Sequence, residues 1–129
     1  MFEDISAIDK KMKRKQQYID ELRSLATSMT MNLGERVQTS PEDRLSNIMV
    51  KIVTAENELD MMEAELKEYR ERAYADIQKL DNKEWRDIVY MHYVELMPMK
   101  KISKIKGKSV GSLYMKSNRA LKVLKKELT

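Results

Sequence analysis

The sequence predicts an all-α protein in two parts: a long helical hairpin or coiled coil over residues 1–80, then a small three-helix domain over 81–129. Three observations carry this. Apolar residues recur at alternating three- and four-residue steps along most of the chain, which puts them on one stripe of a helix. Only three glycines and two prolines occur in 129 residues, so there is little to interrupt helices. Charge is also divided unevenly between the two parts.

The first predicted helix runs from about Glu3 to Met29. Its seam reads Ile5, Ile8, Met12, Lys15, Ile19, Leu22, Ala26 and Met29, apolar throughout except at Lys15. That is the narrow stripe of a coiled-coil partner. The periodicity stops between Thr30 and Ser40, where Asn32, Gly34 and Gln38-Thr39-Ser40 read as a loop.

The second helix opens with Ser40 as N-cap, Pro41 at the first helical position and the acids Glu42 and Asp43 in the first turn. Asp43, three residues after Ser40, makes a short capping box. From there the seam continues through Leu45, Ile48, Ile52, Ala55, Leu59, Met62, Leu66, Tyr69, Ala73, Ile77 and Leu80. About 39 uninterrupted residues make a helix roughly 58 Å long at 1.5 Å per residue. A stripe of this length needs a partner, since each large apolar side chain left in water forfeits roughly 1.5–3 kcal/mol. The first helix suits an antiparallel hairpin. The overhang beyond about Glu71 then needs either a second chain or the C-terminal domain.

Asp81-Asn82 ends that pattern and offers a new cap, with Glu84 in the turn that follows. The third helix carries Trp85, Ile88, Val89, Tyr93 and Leu96 on one face, and Pro98 stops it. A short fourth helix, about 99–106, turns Ile102 and Ile105 inward, and Gly107 suits a left-handed C-cap. Ser109 caps the last helix, which runs to Leu128 with Val110, Leu113, Ala120, Leu121, Leu124 and Leu128 inward.

Composition bounds the chemistry. Residues 1–99 carry 15 Lys and Arg against 20 Asp and Glu, whereas residues 100–129 carry ten against Glu127 alone. The overall +4 therefore conceals a net −5 and a net +9. So sharp a division points to a basic module facing a polyanion, with a solvated lysine-rich helix as the plain alternative. There is no cysteine, hence no disulfide, thiolate metal site or cysteine nucleophile. The first residues have no apolar run of the signal-peptide kind, and no 18 apolar residues are contiguous, so a soluble, cytoplasmic protein is expected.

His92 is the only histidine and has no ligand cluster around it, so a helix-surface or capping place is expected for it. The carboxylate pairs Glu56/Glu58 and Glu63/Glu65 lie on the outer face of the long helix. The eleven methionines read as flexible core filling. No phosphate-binding glycine loop is present. An enzyme is not expected, nor any cofactor or metal.

Two short helices joined by a tight glycine turn, the second capped by serine and followed by bases, fit the helix-turn-helix plan. The first helix braces the second, whose N-terminal half can then enter a groove about 12 Å wide. Lys100, Lys101, Lys104, Lys106, Lys108, Lys122, Lys125 and Lys126 are the candidate phosphate contacts, giving affinity and salt dependence without sequence discrimination.

From Trp85 onward the run HYVELMPMKKISKIKGKSVGSLYMKSNRALKVL resembles the region-4 helix-turn-helix of sigma factors. It is closer still to the phage-encoded transcriptional regulators built on that module, the ArpU- and RinA-like late regulators. His92-Tyr93, Ile102, Gly107, Ser109, Leu113 and Ala120-Leu121 with Leu124 occupy the family's places. The upstream ERVQTSPEDRL extends the resemblance to about 35–129.

The resemblance implies a sequence-specific regulator of transcription that binds double-stranded DNA in a bacterial cell. Its long helices would join a second copy, as a dimer, or face RNA polymerase. Where the family reads bases with Arg and Gln just after the cap, this chain has Val110 and Gly111. Base contacts are therefore assigned to Ser109, Ser112, Met115, Lys116, Asn118 and Arg119. Two rival readings are a small terminase-type DNA-packaging subunit, and a coiled-coil interaction protein that does not bind DNA.

Overall fold

The computed structural model of the chain describes residues 1–31 and 41–128. It is all-helical among these residues, as expected: α1 (Glu3–Met31), α2 (Pro41–Ile77), α3 (Lys83–Val89), α4 (Met99–Lys106) and α5 (Val110–Glu127), with a π-helical turn at Tyr90–Val94 after α3. Of the loop expected from Thr30 to Ser40, Thr30 and Met31 instead continue α1, the Thr30 hydroxyl donating to the Ala26 carbonyl at 2.9 Å; the rest of it, with the Ser40 cap, lies outside the described residues.

Contacts gather the chain into two compact units, residues 8–65 and residues 1–7 with 66–129. In this grouping the first seven residues belong with the end of α2 and the C-terminal helices.

The 8–65 unit is a hairpin. Ile19, Leu22 and Ala26 of α1 are buried with Ile48, Ile52 and Ala55 of α2, and Met29, Leu45 and Leu59 pack alongside. Lys15 pairs with Glu58 and Arg23 with Glu56, so the segments run antiparallel. The one break in the α1 stripe is thus bridged by charge: Lys15 is half-buried, its ammonium on Glu58 at the edge of the seam. The stripe is closed within the chain, with Met62 half-buried at its end.

The other unit explains the overhang. At 37 residues α2 is roughly 55 Å long. Its last turns, with Leu66, Ala73 and Ile77, and then Leu80, are buried in this unit, and Tyr69 is half-buried beside them. Phe2 and Ile5 fill the same core: the Phe2 ring lies 5.7 Å from that of Tyr93, and Tyr74 meets Tyr90 edge-on at 6.1 Å. Arg86 donates to the Leu80 carbonyl at 2.6 Å, in the turn that follows α2.

Asn82 caps α3, accepting the Trp85 amide at 3.2 Å. The third helix is not regular throughout. The Glu95 amide bonds the Tyr90 carbonyl, five residues back, at 3.0 Å, and this π-turn rotates the residues that follow. Val94 consequently becomes fully buried, while Trp85, Tyr93 and Leu96 are only partly so. Leu96 has φ 57°, and the Met97 amide reaches back to Met91 at 2.9 Å, ending the helix before Pro98. His92 closes this turn, its Nδ1–H donating to the Met97 carbonyl at 2.8 Å, which is the capping place expected for it.

Ile88, Met99, Ile102 and Leu113 form the centre of the small domain, with Met91, Met97 and Val110 against them. Two expected core positions are corrected. Ile105 is 56% exposed and Leu128 36%, because α5 covers only the Ile102 side of α4 and α5 ends at Glu127. Ser117 is fully buried instead, its hydroxyl 3.4 Å from that of Tyr93.

Candidate nucleic-acid interface

The turn between α4 and α5 is built as its residues demand. Gly107 takes φ 66°, ψ 31°, a left-handed conformation costing a residue with a Cβ about 1–2 kcal/mol. Its amide bonds the Ser103 carbonyl at 2.9 Å, and the Ser103 hydroxyl donates to the Lys108 carbonyl, which ties the turn back onto α4. Ser109 Oγ accepts the Ser112 amide at 3.2 Å, a helix N-cap that fixes where α5 begins. α5 packs against both α3 and α4.

The pattern on α5 then decides what faces outward. Leu113, Ser117, Ala120 and Leu124 are buried on one side. Gly111, Met115, Asn118 and Lys122, stepping by four, three and four, form the opposite line, with Tyr114 and Arg119 flanking it, and all six are exposed. A Cβ added at Gly111 would meet nothing within 4 Å, so the first turn of α5 is open to whatever approaches. Lys100, Lys101 and Lys104 are exposed along α4, and Lys125 and Lys126 at the far end of α5.

The other assigned residues lie differently. Ser109 spends its hydroxyl on the cap, and Ser112 is half-buried. Lys116 points back toward α3, where its ammonium bonds Glu84 at 2.7 Å, and Lys108 meets the same carboxylate at 3.0 Å. Lys106 pairs with Asp87 at 3.1 Å. The bonded Lys116 ammonium, and after it Lys108, hold the Glu84 carboxyl below the ordinary glutamate range, and Glu84 raises Lys108 in return.

Nothing local in the sequence marks Glu84 and Asp87 as partners of these lysines. Glu84 reads as a first-turn acid of α3, and its lysines come 24 and 32 residues later, brought to it only by packing. Nothing marks Tyr114 either; it is exposed, with His92 edge-on at 6.1 Å.

Among the described residues no group of His, Cys, Asp or Glu could hold a metal, and no helix is long and apolar enough to cross a membrane. No family model, curated protein or solved structure matches the chain.

Proposed function

We propose that the chain binds double-stranded DNA through its C-terminal helices, as a sequence-specific regulator of transcription of the phage or mobile-element kind its sequence resembles. The observation that carries this is the outward line of α5, Gly111, Met115, Asn118 and Lys122. It begins at a capped, left-handed turn and is flanked by same-sign charge from α4. A capped helix held by a short brace, with its exposed face polar and basic, is what major-groove entry requires.

In this reading Lys100, Lys101, Lys104 and Lys122 take phosphates. Met115, Asn118 and Arg119 are left to read base edges: methionine against a thymine methyl, asparagine against adenine, arginine against guanine. The hairpin presents the outer face of α2, where Met49, Val50, Val53 and Met61 are exposed, to RNA polymerase or a second copy.

The test is fluorescence anisotropy of the full chain with labelled random-sequence duplex. Binding is expected at 50 mM salt and should weaken steeply by 200 mM. No binding at either salt would end the reading. The mass in solution separates it from the packaging-subunit alternative, for which a ring of many chains is expected.

A further inference from the structure

One carboxylate in this domain is placed where a DNA phosphate would otherwise be useful. Glu84 Oε1 receives both Lys116 at 2.7 Å, from within α5, and Lys108 at 3.0 Å, from the turn that precedes it. Lys108 sits in the turn just before the cap and is half-exposed; the Lys116 side chain is only 21% exposed. One negative charge thus occupies two of the ten bases that make the segment basic.

Phosphate contacts are a competition among anions for ammonium groups, and the affinity they give comes from the counterions each neutralised phosphate releases. A lysine whose charge is already balanced by a fixed carboxylate still has donors to spare, but it adds little net charge to neutralise a phosphate and release its counterions. The two contacts are short and made by ionised groups, the stronger kind of hydrogen bond. Glu84 is ionised throughout the neutral range, as any glutamate near its ordinary value is, and the two lysines lower its pKa further.

From this geometry we infer that Glu84 is a built-in competitor of the DNA backbone. It withholds Lys108 and Lys116 from phosphates, so the domain binds duplex more weakly, and with a shallower salt dependence, than its charge alone implies. Such restraint lowers the sequence-independent part of binding while leaving the outer line of α5 free to discriminate. The inference rests on the DNA-binding reading above and adds a determinant of its affinity.

The test compares the full chain with Glu84→Gln on the same random-sequence duplex, across 50 to 200 mM salt. Releasing two lysines steepens the logarithmic salt slope by up to about 1.8, at about 0.9 per contact. The variant therefore binds more tightly at 50 mM, and its advantage shrinks by up to about tenfold on going to 200 mM. Glu127→Gln, the same change of charge at the exposed end of α5, controls for net charge and leaves the slope unaltered. The gain disappears when Lys108 and Lys116 are both alanine.

Lys116→Met, in an otherwise unchanged chain, keeps the inference open to refutation should Glu84→Gln fold poorly. It changes affinity less than about twofold, whereas Lys104→Ala loses about one full contact, roughly threefold to fourfold between 50 and 200 mM. Binding by Glu84→Gln no tighter than by the wild type, or a loss from Lys116→Met equal to that from Lys104→Ala, overturns the inference alone. If neither wild type nor variant binds duplex at any salt, the DNA reading falls and takes the inference with it.

Discussion

Truncating Phe2 to alanine should weaken the C-terminal helices, although the two are far apart in the sequence. Phe2 is 7% exposed, its ring 5.7 Å from Tyr93, and its carbonyl is fixed by the Ile5 amide at 3.2 Å. Deleting a buried phenylalanine side chain costs about 3–5 kcal/mol, from lost transfer energy and the cavity left behind. Phe2 keeps a little exposure and meets the core from one side of Tyr93, so the lower figure, about 3 kcal/mol, is expected. In a unit of about 70 residues this lowers the melting midpoint by more than about 10 °C. Trp85, the one tryptophan, lies on α3 and reports on this unit. Its fluorescence during urea unfolding gives the free energy directly. A change below about 0.5 kcal/mol would show that Phe2 is not part of this core, and the reasoning that joins residues 1–7 to it would be wrong.

Other outcomes follow from the same geometry. Residues 81–129 alone lack Phe2, Ile5 and the end of α2, so this fragment should melt well below the full chain by circular dichroism. Gly107→Ala should cost about 1–2 kcal/mol, from backbone conformation alone, since an added Cβ meets nothing within 4 Å. Gly111→Ala, in ordinary helical backbone and equally open space, should instead stabilise the fold by up to about 1 kcal/mol in thermal melts while weakening duplex binding. The contribution of the Glu84 contacts to stability is present at neutral pH. Because the folded-state pKa is lowered, that contribution is lost as the pH falls below the ordinary value of 4.5 and on through the lowered one. Melts of wild type and Glu84→Gln should therefore converge in acid. Replacing thymine by deoxyuridine in a selected site should weaken the wild type and leave Met115→Ala indifferent, if Met115 meets a thymine methyl.

What could be read from the sequence was local or periodic. The α1 and α2 stripes follow from side-chain spacing, and Asn82, Gly107 and Ser109 do their capping within three or four residues. The misreadings share a different cause. A π-turn at Tyr90–Val94 has no side-chain signature, yet it shifts the buried face from the expected phase and brings Val94 inside. Ile105 and Leu128 fit a helical repeat, but their burial depends on where α5 stops covering its neighbours. Phe2 lies before any stripe begins, and only the folded chain brings it to Tyr93. At the candidate interface, the basic character and the capped turn were legible. The sorting of lysines into exposed ones and those held by Glu84 and Asp87 was not, because ion pairs between elements are set by packing.

The central claim is that α4 and α5 make a surface for duplex DNA, and the salt dependence of binding by the full chain tests it most directly. With Lys100, Lys101, Lys104 and Lys122 on phosphates, the logarithmic slope should lie between about −3 and −5, and alanine at any one of them should reduce it by about 0.9. Binding that is absent, or that does not change between 50 and 200 mM salt, would contradict the account.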